Sequence, residues 1–190
     1  MNRTLAASVT LLVTVLLAGC AKSGNAVPAV QPPAFQLTAS IQDIMHGIVD
    51  PAADALWDSV GTEVTHKGEV HNQPRSVEQW NAVRNSAIAL TEASNLLIMD
   101  GRQVVHAGKE VEDAHVTGIQ SASEIQAEIA KDRQAWIGFA QALHATGEQA
   151  LQAIDAQDAT RLLHAGEALD EVCEACHLKY WYPGQVIPSL

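Results

Sequence analysis

Residues 158–177 read DATRLLHAGEALDEVCEACH. Leu162, Leu169 and Cys176 recur every seven residues with Ala165 and Val172 between them, the stripe of a helix with one apolar face. Asp158 is a favoured residue at a helix N-terminus, and Pro183 stops the helix at its other end. Three more stripes of the same period lie upstream. Ser40 and Asp43, in capping-box spacing, open a helix through Ile41, Ile44, Met45, Ile48, Ala52, Leu56 and Val60, which Pro51 is expected to kink. Ser76 and Gln79 open a second, carrying Val77, Trp80, Val83, Ala87, Leu90 and Leu97, and Asp100-Gly101 ends it. Ser121 and Glu124 open a third, whose stripe includes Ile125, Ile129, Trp136, Phe139, Leu143, Ala150 and Ile154, with Gly147 inside it at some cost in helix propensity.

No run alternates with period two for long enough to suggest a sheet. The polar residues 61–75 read as a connection and residues 102–120 as a long surface loop. The expected fold class is therefore all-α, an antiparallel four-helix bundle with one long crossover after the second helix. The 47% hydrophobic content is carried by alanine and aliphatic residues with only 4% aromatics, which suits helices packed closely in one domain.

The N-terminus reads as an export signal over residues 1–19. Arg3 precedes an uncharged apolar stretch from Leu5 to Ala18, too short to cross a bilayer comfortably. It runs into Leu17-Ala18-Gly19-Cys20, which resembles the lipobox of bacterial lipoproteins and implies cleavage before Cys20 and lipidation of its thiol. The alternative is an ordinary signal with an incidental cysteine, but an unpaired thiol is a liability in an oxidising compartment. Ala21 after the cysteine implies the outer membrane. Residues 20–39, with Pro28, Pro32 and Pro33, read as a flexible tether; residues 40–182 form the domain and 183–190 a tail. The formal charge of −11 excludes nucleic-acid binding and suits basic partners. Contact with the membrane is expected through the lipid anchor alone.

Three cysteines cannot make a disulfide framework. With Cys20 assigned to lipid, the other two stand in Cys173-Glu174-Ala175-Cys176-His177, the C-x-x-C-H signature of c-type haem attachment. Residues three and four apart on a helix share a face, so both thiols can reach the haem vinyl groups while His177 turns to the iron. A redox C-x-x-C pair belongs near a βαβ pattern, which is missing. A zinc site needs further ligands, and a disulfide between the two is strained on a helix. One covalent haem c is therefore the expected cofactor.

A bundle with this motif on its last helix resembles the class II cytochromes c, the group of cytochrome c-prime and its low-spin relatives. The resemblance covers Ser40 to Tyr182 and rests on Cys173, Cys176, His177 and Met45. Lys179-Tyr180-Trp181-Tyr182 departs from the aromatic-then-basic pair usual after the histidine, and both long connections exceed the family pattern. The family implies two alternatives opposite His177: a methionine from the first helix in electron carriers, or an open position that binds small gases such as nitric oxide or carbon monoxide. Met45 falls near the middle of the first helix's apolar face, whereas His46 lies about 100° round toward its edge. The other methionine of the exported chain is Met99, at the end of the second helix. Pairing through the first two helices is a further implication for oligomeric state.

The remaining histidines invite over-reading. His66 and His71 flank Glu69, and His106 and His115 flank Glu110 and Asp113, but neither group has a fixed helical spacing and both read as solvated loops. His144 and His164 fall on helices without evident partners. Trp57, Trp80 and Trp136 read as core, with contact to the porphyrin open to one of them. The expected function is electron transfer with basic redox partner proteins, not enzymatic catalysis. His177 and Met45 are the expected axial ligands in a lipid-anchored, periplasm-facing protein; the alternative is a gas binder with an open sixth position.

Overall fold

The computed structural model describes residues 35–185, and these are mostly helical. The export signal, Cys20 and the tether as far as residue 34 lie outside the described residues, as does the tail from residue 186. The first helical stretch begins at its predicted cap: Ser40 Oγ accepts the Asp43 N–H at 3.1 Å and Asp43 Oδ2 accepts the Ser40 N–H at 2.8 Å. It is not one regular helix. α1 (Ile41–Ile44) passes into a π-helical turn (Met45–Val49) and then into α2 (Asp50–Trp57). Pro51 lacks an N–H and its ring crowds the carbonyl four residues back. In place of a simple kink at Pro51, the ladder widens just before it, with the Asp50 N–H reaching the Met45 carbonyl.

Residues 61–75 overturn the expectation that there is no sheet. β1 (Gly61–Thr65) and β2 (Gly68–Asn72) pair antiparallel, with Thr62 opposite His71 and Val64 opposite Glu69. The two-residue turn His66-Lys67 is followed by Gly68 at φ +114°, a conformation that side chains resist. β2 is exposed along its whole length and Val64 is 78% exposed, so neither strand carries the alternation that betrays a half-buried strand.

α3 (Val77–Leu97) starts at the Ser76–Gln79 capping box and ends before Asp100-Gly101, where Gly101 takes φ +84°. The predicted third helix is two. α4 (Ala122–Lys131) follows the Ser121–Glu124 box, and Asp132 leaves the helix at φ −137°, ψ 73° to cap α5 (Arg133–Asp155) by accepting the Ala135 N–H at 3.0 Å. α6 (Ala159–Tyr180) is capped by Asp158 on the Arg161 N–H.

α3 packs on α5, α5 on α6, and α2 bridges α3 and α6, which closes a ring of helices around the core. Small residues let them approach: Ala87, Ala93 and Ala153 are fully buried, and a Cβ on Gly147 would stand 2.2 Å from Thr91 Oγ1. The helix propensity lost at Gly147 is therefore offset by close contact of α3 and α5. Trp80 and Trp136 are buried as expected, but Trp57 is 37% exposed, because it sits at the end of α2 with its indole over Gly166 rather than in the core.

Residues 102–120 have no regular secondary structure, yet they are more than a surface loop. Arg102, Val104 and Val111 are buried. The Arg102 guanidinium donates to the carbonyls of Leu96 and Ala39 and to Met99 Sδ. The carbonyls of Gln103 and Val104 accept the Ile41 and Gln42 N–H groups at 2.9 and 3.0 Å, satisfying donors that a helix start leaves open. At its far end, the Gln120 N–H and side-chain amide donate to the carbonyls of Trp181 and Tyr180, both at 2.8 Å. The segment is a strap that ties the start of α1 to the end of α6. Among the described residues, no helix is long and apolar enough to cross a membrane.

Candidate functional site

The stripe Met45, Val49, Ala53 and Trp57 places one residue per turn on the side facing α6, and Cys173, Cys176 and His177 occupy the last turns of α6. The two sets meet in a single cavity: Met45, Val49, Ala53, Trp57, Cys173, Cys176 and His177 line it together. Trp136, Phe139, Ala140 and Leu143 of α5, on one helical face, close its floor. Its free space, mouth included, is about 760 Å³, and a second cleft of about 850 Å³ shares Met45, Asp50, Trp136, Cys176 and His177 with it.

Four residues predicted for the site from sequence, Cys173, Cys176, His177 and Met45, are thus brought together. Cys20 lies outside the described residues. Met45 is half-buried against the core. His46 also lines the second cleft, but its Nε2 is 2.7 Å from Glu112 Oε2 on the strap. Met99 lines neither cleft, and its sulfur accepts from Arg102 at 3.2 Å.

The lining is apolar and its charges are all of one sign. Burial pushes the Cys173 thiol up to about 11 and the Cys176 thiol up to about 12, with Asp170 and Asp50 adding to the first. Both are free thiols held in the protonated form. Burial lowers the His177 imidazole below its usual value, against the opposing pull of Glu174 and Asp50, and so favours the neutral form that ligates metals. Asp50 is pushed up by its own partial desolvation, with His46 and His177 acting against it. No lysine or arginine lines either cleft, whereas Asp50, Asp54, Glu112 and Asp113 do.

The end of α6 is braced beside His177. The Tyr182 ring lies edge-on to the imidazole at 6.0 Å between centroids, and its hydroxyl donates to Glu174 Oε2 at 2.6 Å. Tyr180 is buried between Trp136 and Phe139, both edge-to-face.

Sequence reasoning missed the rim acids Asp50 and Asp54 and the strap residue Glu112. Asp50 and Asp54 are four apart on α2, directly after the turn that bears Met45, a spacing that puts both on one edge. No local signal points to Glu112, because it reaches His46 across 66 positions of chain. Four other histidines have partners away from the site: His106 pairs with Asp43 at 2.6 Å, His71 with Thr62, His164 with Glu167, and His144 with Ser94 and the Thr91 carbonyl. His144 and His164 therefore do have partners, one from the facing helix and one a turn along its own. Among the described residues, no group of three or more histidine, cysteine or acidic side chains is placed to hold a metal ion by itself.

Compared with known proteins, the chain matches no protein-family model, no curated protein and no solved structure. The residues of the cavity carry the functional reading.

Proposed function

We propose that this chain is a monohaem c-type cytochrome that carries electrons, an antiparallel four-helix bundle of the class II kind anchored by lipid on Cys20 at the periplasmic side of the outer membrane. One observation carries the reading: the C-x-x-C-H of α6 and Met45 of the π-helical turn line the same apolar cavity. The ring formed by α2, α3, α5 and α6 supports the bundle. The donor set fits haem c. Cys173 and Cys176 supply two thiols for thioether anchoring, His177 a neutral imidazole and Met45 a thioether. A zinc or redox-thiol site would need ionised sulfurs, which this apolar, acid-rimmed setting disfavours.

When bound, haem supplies an iron that takes up or gives up one electron at a time. The chain's own residues keep the two states alike. His177 and Met45 would hold the iron, Tyr182 and Glu174 brace the turn that carries His177, and Trp136, Phe139 and Leu143 would keep water from it. A methionine ligand raises the potential relative to a second histidine. Glu112 holds His46 on the strap side, which favours Met45 over His46 as the ligand.

Optical spectra of the oxidised and reduced protein, with its Met45→Leu and His46→Ala variants, test this. The wild type is expected to be red, low-spin in both states and slow to bind carbon monoxide. Met45→Leu preserves volume and costs below ~1.5 kcal/mol of stability, but it should turn high-spin and bind carbon monoxide readily. His46→Ala should leave the spectrum alone. A high-spin wild type would replace this reading with the gas-binding one, and a colourless protein from cells with the haem-attachment machinery would sink both.

A further inference from the structure

Trp57 belongs to two spaces. It lines the cavity with Met45, Cys173 and His177, and it also lines a groove on the outside of the molecule with Leu163, Glu167 and Asp170. Its Nε1 donates to the Gly166 carbonyl at 2.9 Å. Gly166 makes this approach possible, since a Cβ there would sit 3.1 Å from the indole Cδ1. Trp57 and Leu163 are 37% and 40% exposed, so the groove has an apolar centre open to solvent. Around it the side chains are acidic: Glu167 and Asp170 in the groove, Asp54 and Asp50 at the cavity mouth. No lysine or arginine lines either space.

We infer that this groove is the docking surface for a one-electron redox protein that presents lysine and arginine side chains around an apolar contact. An apolar centre with a charged rim of one sign is the make-up of a steered, transient interface. The inference rests on the cytochrome reading and adds the place of contact: Trp57 is the side chain that separates a docked partner from the cavity. With haem bound, the chain would give one electron from its reduced iron to the partner's oxidised centre, and no bond would form or break.

The test uses the intact lipidated protein in detergent and, as probe, mitochondrial cytochrome c, a lysine-rich one-electron protein. A carbodiimide joins carboxylates to ammonium groups in direct contact, and mass spectrometry of the joined peptides finds the carboxylates used. Cross-links are expected at Asp54, Glu167 or Asp170. The double variant Glu167→Lys/Asp170→Lys, whose changes are on exposed positions, should weaken binding about tenfold at low salt, and added salt should weaken the wild-type complex similarly. Glu92→Lys/Glu148→Lys, in neither the groove nor the cavity, should bind as wild type. Cross-links that map elsewhere, or reversals in the groove that matter no more than the controls, would overturn the docking surface. Cross-links joining two copies of this chain through the groove would overturn it too, in favour of a self-associating face. Because contact is read without reference to colour or spectrum, failure here leaves the haem reading standing, whereas a colourless protein would overturn the redox docking surface whatever the cross-links show.

Discussion

The two long connections make opposite use of their residues. The β1–β2 hairpin satisfies its backbone within itself, and β2 is exposed along its length. The strap of residues 102–120 forms no repeating hydrogen bonds, yet it buries Arg102, Val104 and Val111 and ties α1 to α6. α1 runs directly into the turn that bears Met45 and α6 bears His177, and the two side chains line one cavity. Regularity and structural consequence are therefore uncoupled in this molecule: the ordered-looking hairpin supports only itself, and the irregular strap holds the site's two halves in register.

The contrast can be broken at three depths. Val104→Asp puts a carboxylate at a position only 2% exposed and should cost at least ~3 kcal/mol by chemical denaturation. An effect no larger than that of a surface change would show that the strap is dispensable. Gln120→Ala removes the amide that caps the Tyr180 carbonyl and should cost about 1 kcal/mol. Because it frees the end of the helix that bears His177, it should also broaden the haem spectrum, a change that a loss of general stability would not produce. Replacing residues 62–71 by a short Gly-Ser linker should change stability by no more than ~0.5 kcal/mol and leave the spectrum as it was. A large loss there would mean that the hairpin supports the fold after all.

Helix starts were the most legible part of the sequence. All three capping boxes, at Ser40, Ser76 and Ser121, are formed, because each is a local exchange of two hydrogen bonds that needs no tertiary partner. The C-x-x-C-H turn and the inward setting of Met45 were legible for a similar reason, since helical spacing alone puts these residues on apolar faces. What stayed hidden depends on distance or on the lack of burial. Asp132 breaks the third stripe, but a stripe continued on both sides of it reads as one helix. The hairpin escaped because both its faces meet water and no alternation marks it. Trp57 was misjudged because a large apolar residue in a stripe reads as core, whereas its surroundings are set by Gly166, on a helix more than a hundred positions away.

The π-helical turn at Met45–Val49 can be viewed as an insertion that the helix has absorbed. Removing one residue there, such as the exposed Gly47, would let the ladder close into an ordinary α-helix and rotate everything before it by ~100° against α2. The cap at Ser40, the apolar composition and the haem-attachment motif would all survive such a deletion, but the Met45 sulfur would no longer face the cavity. On the function proposed here, a descendant one residue shorter would keep its colour and lose its sixth ligand, so that a carrier of electrons and a binder of gas stand a single codon apart.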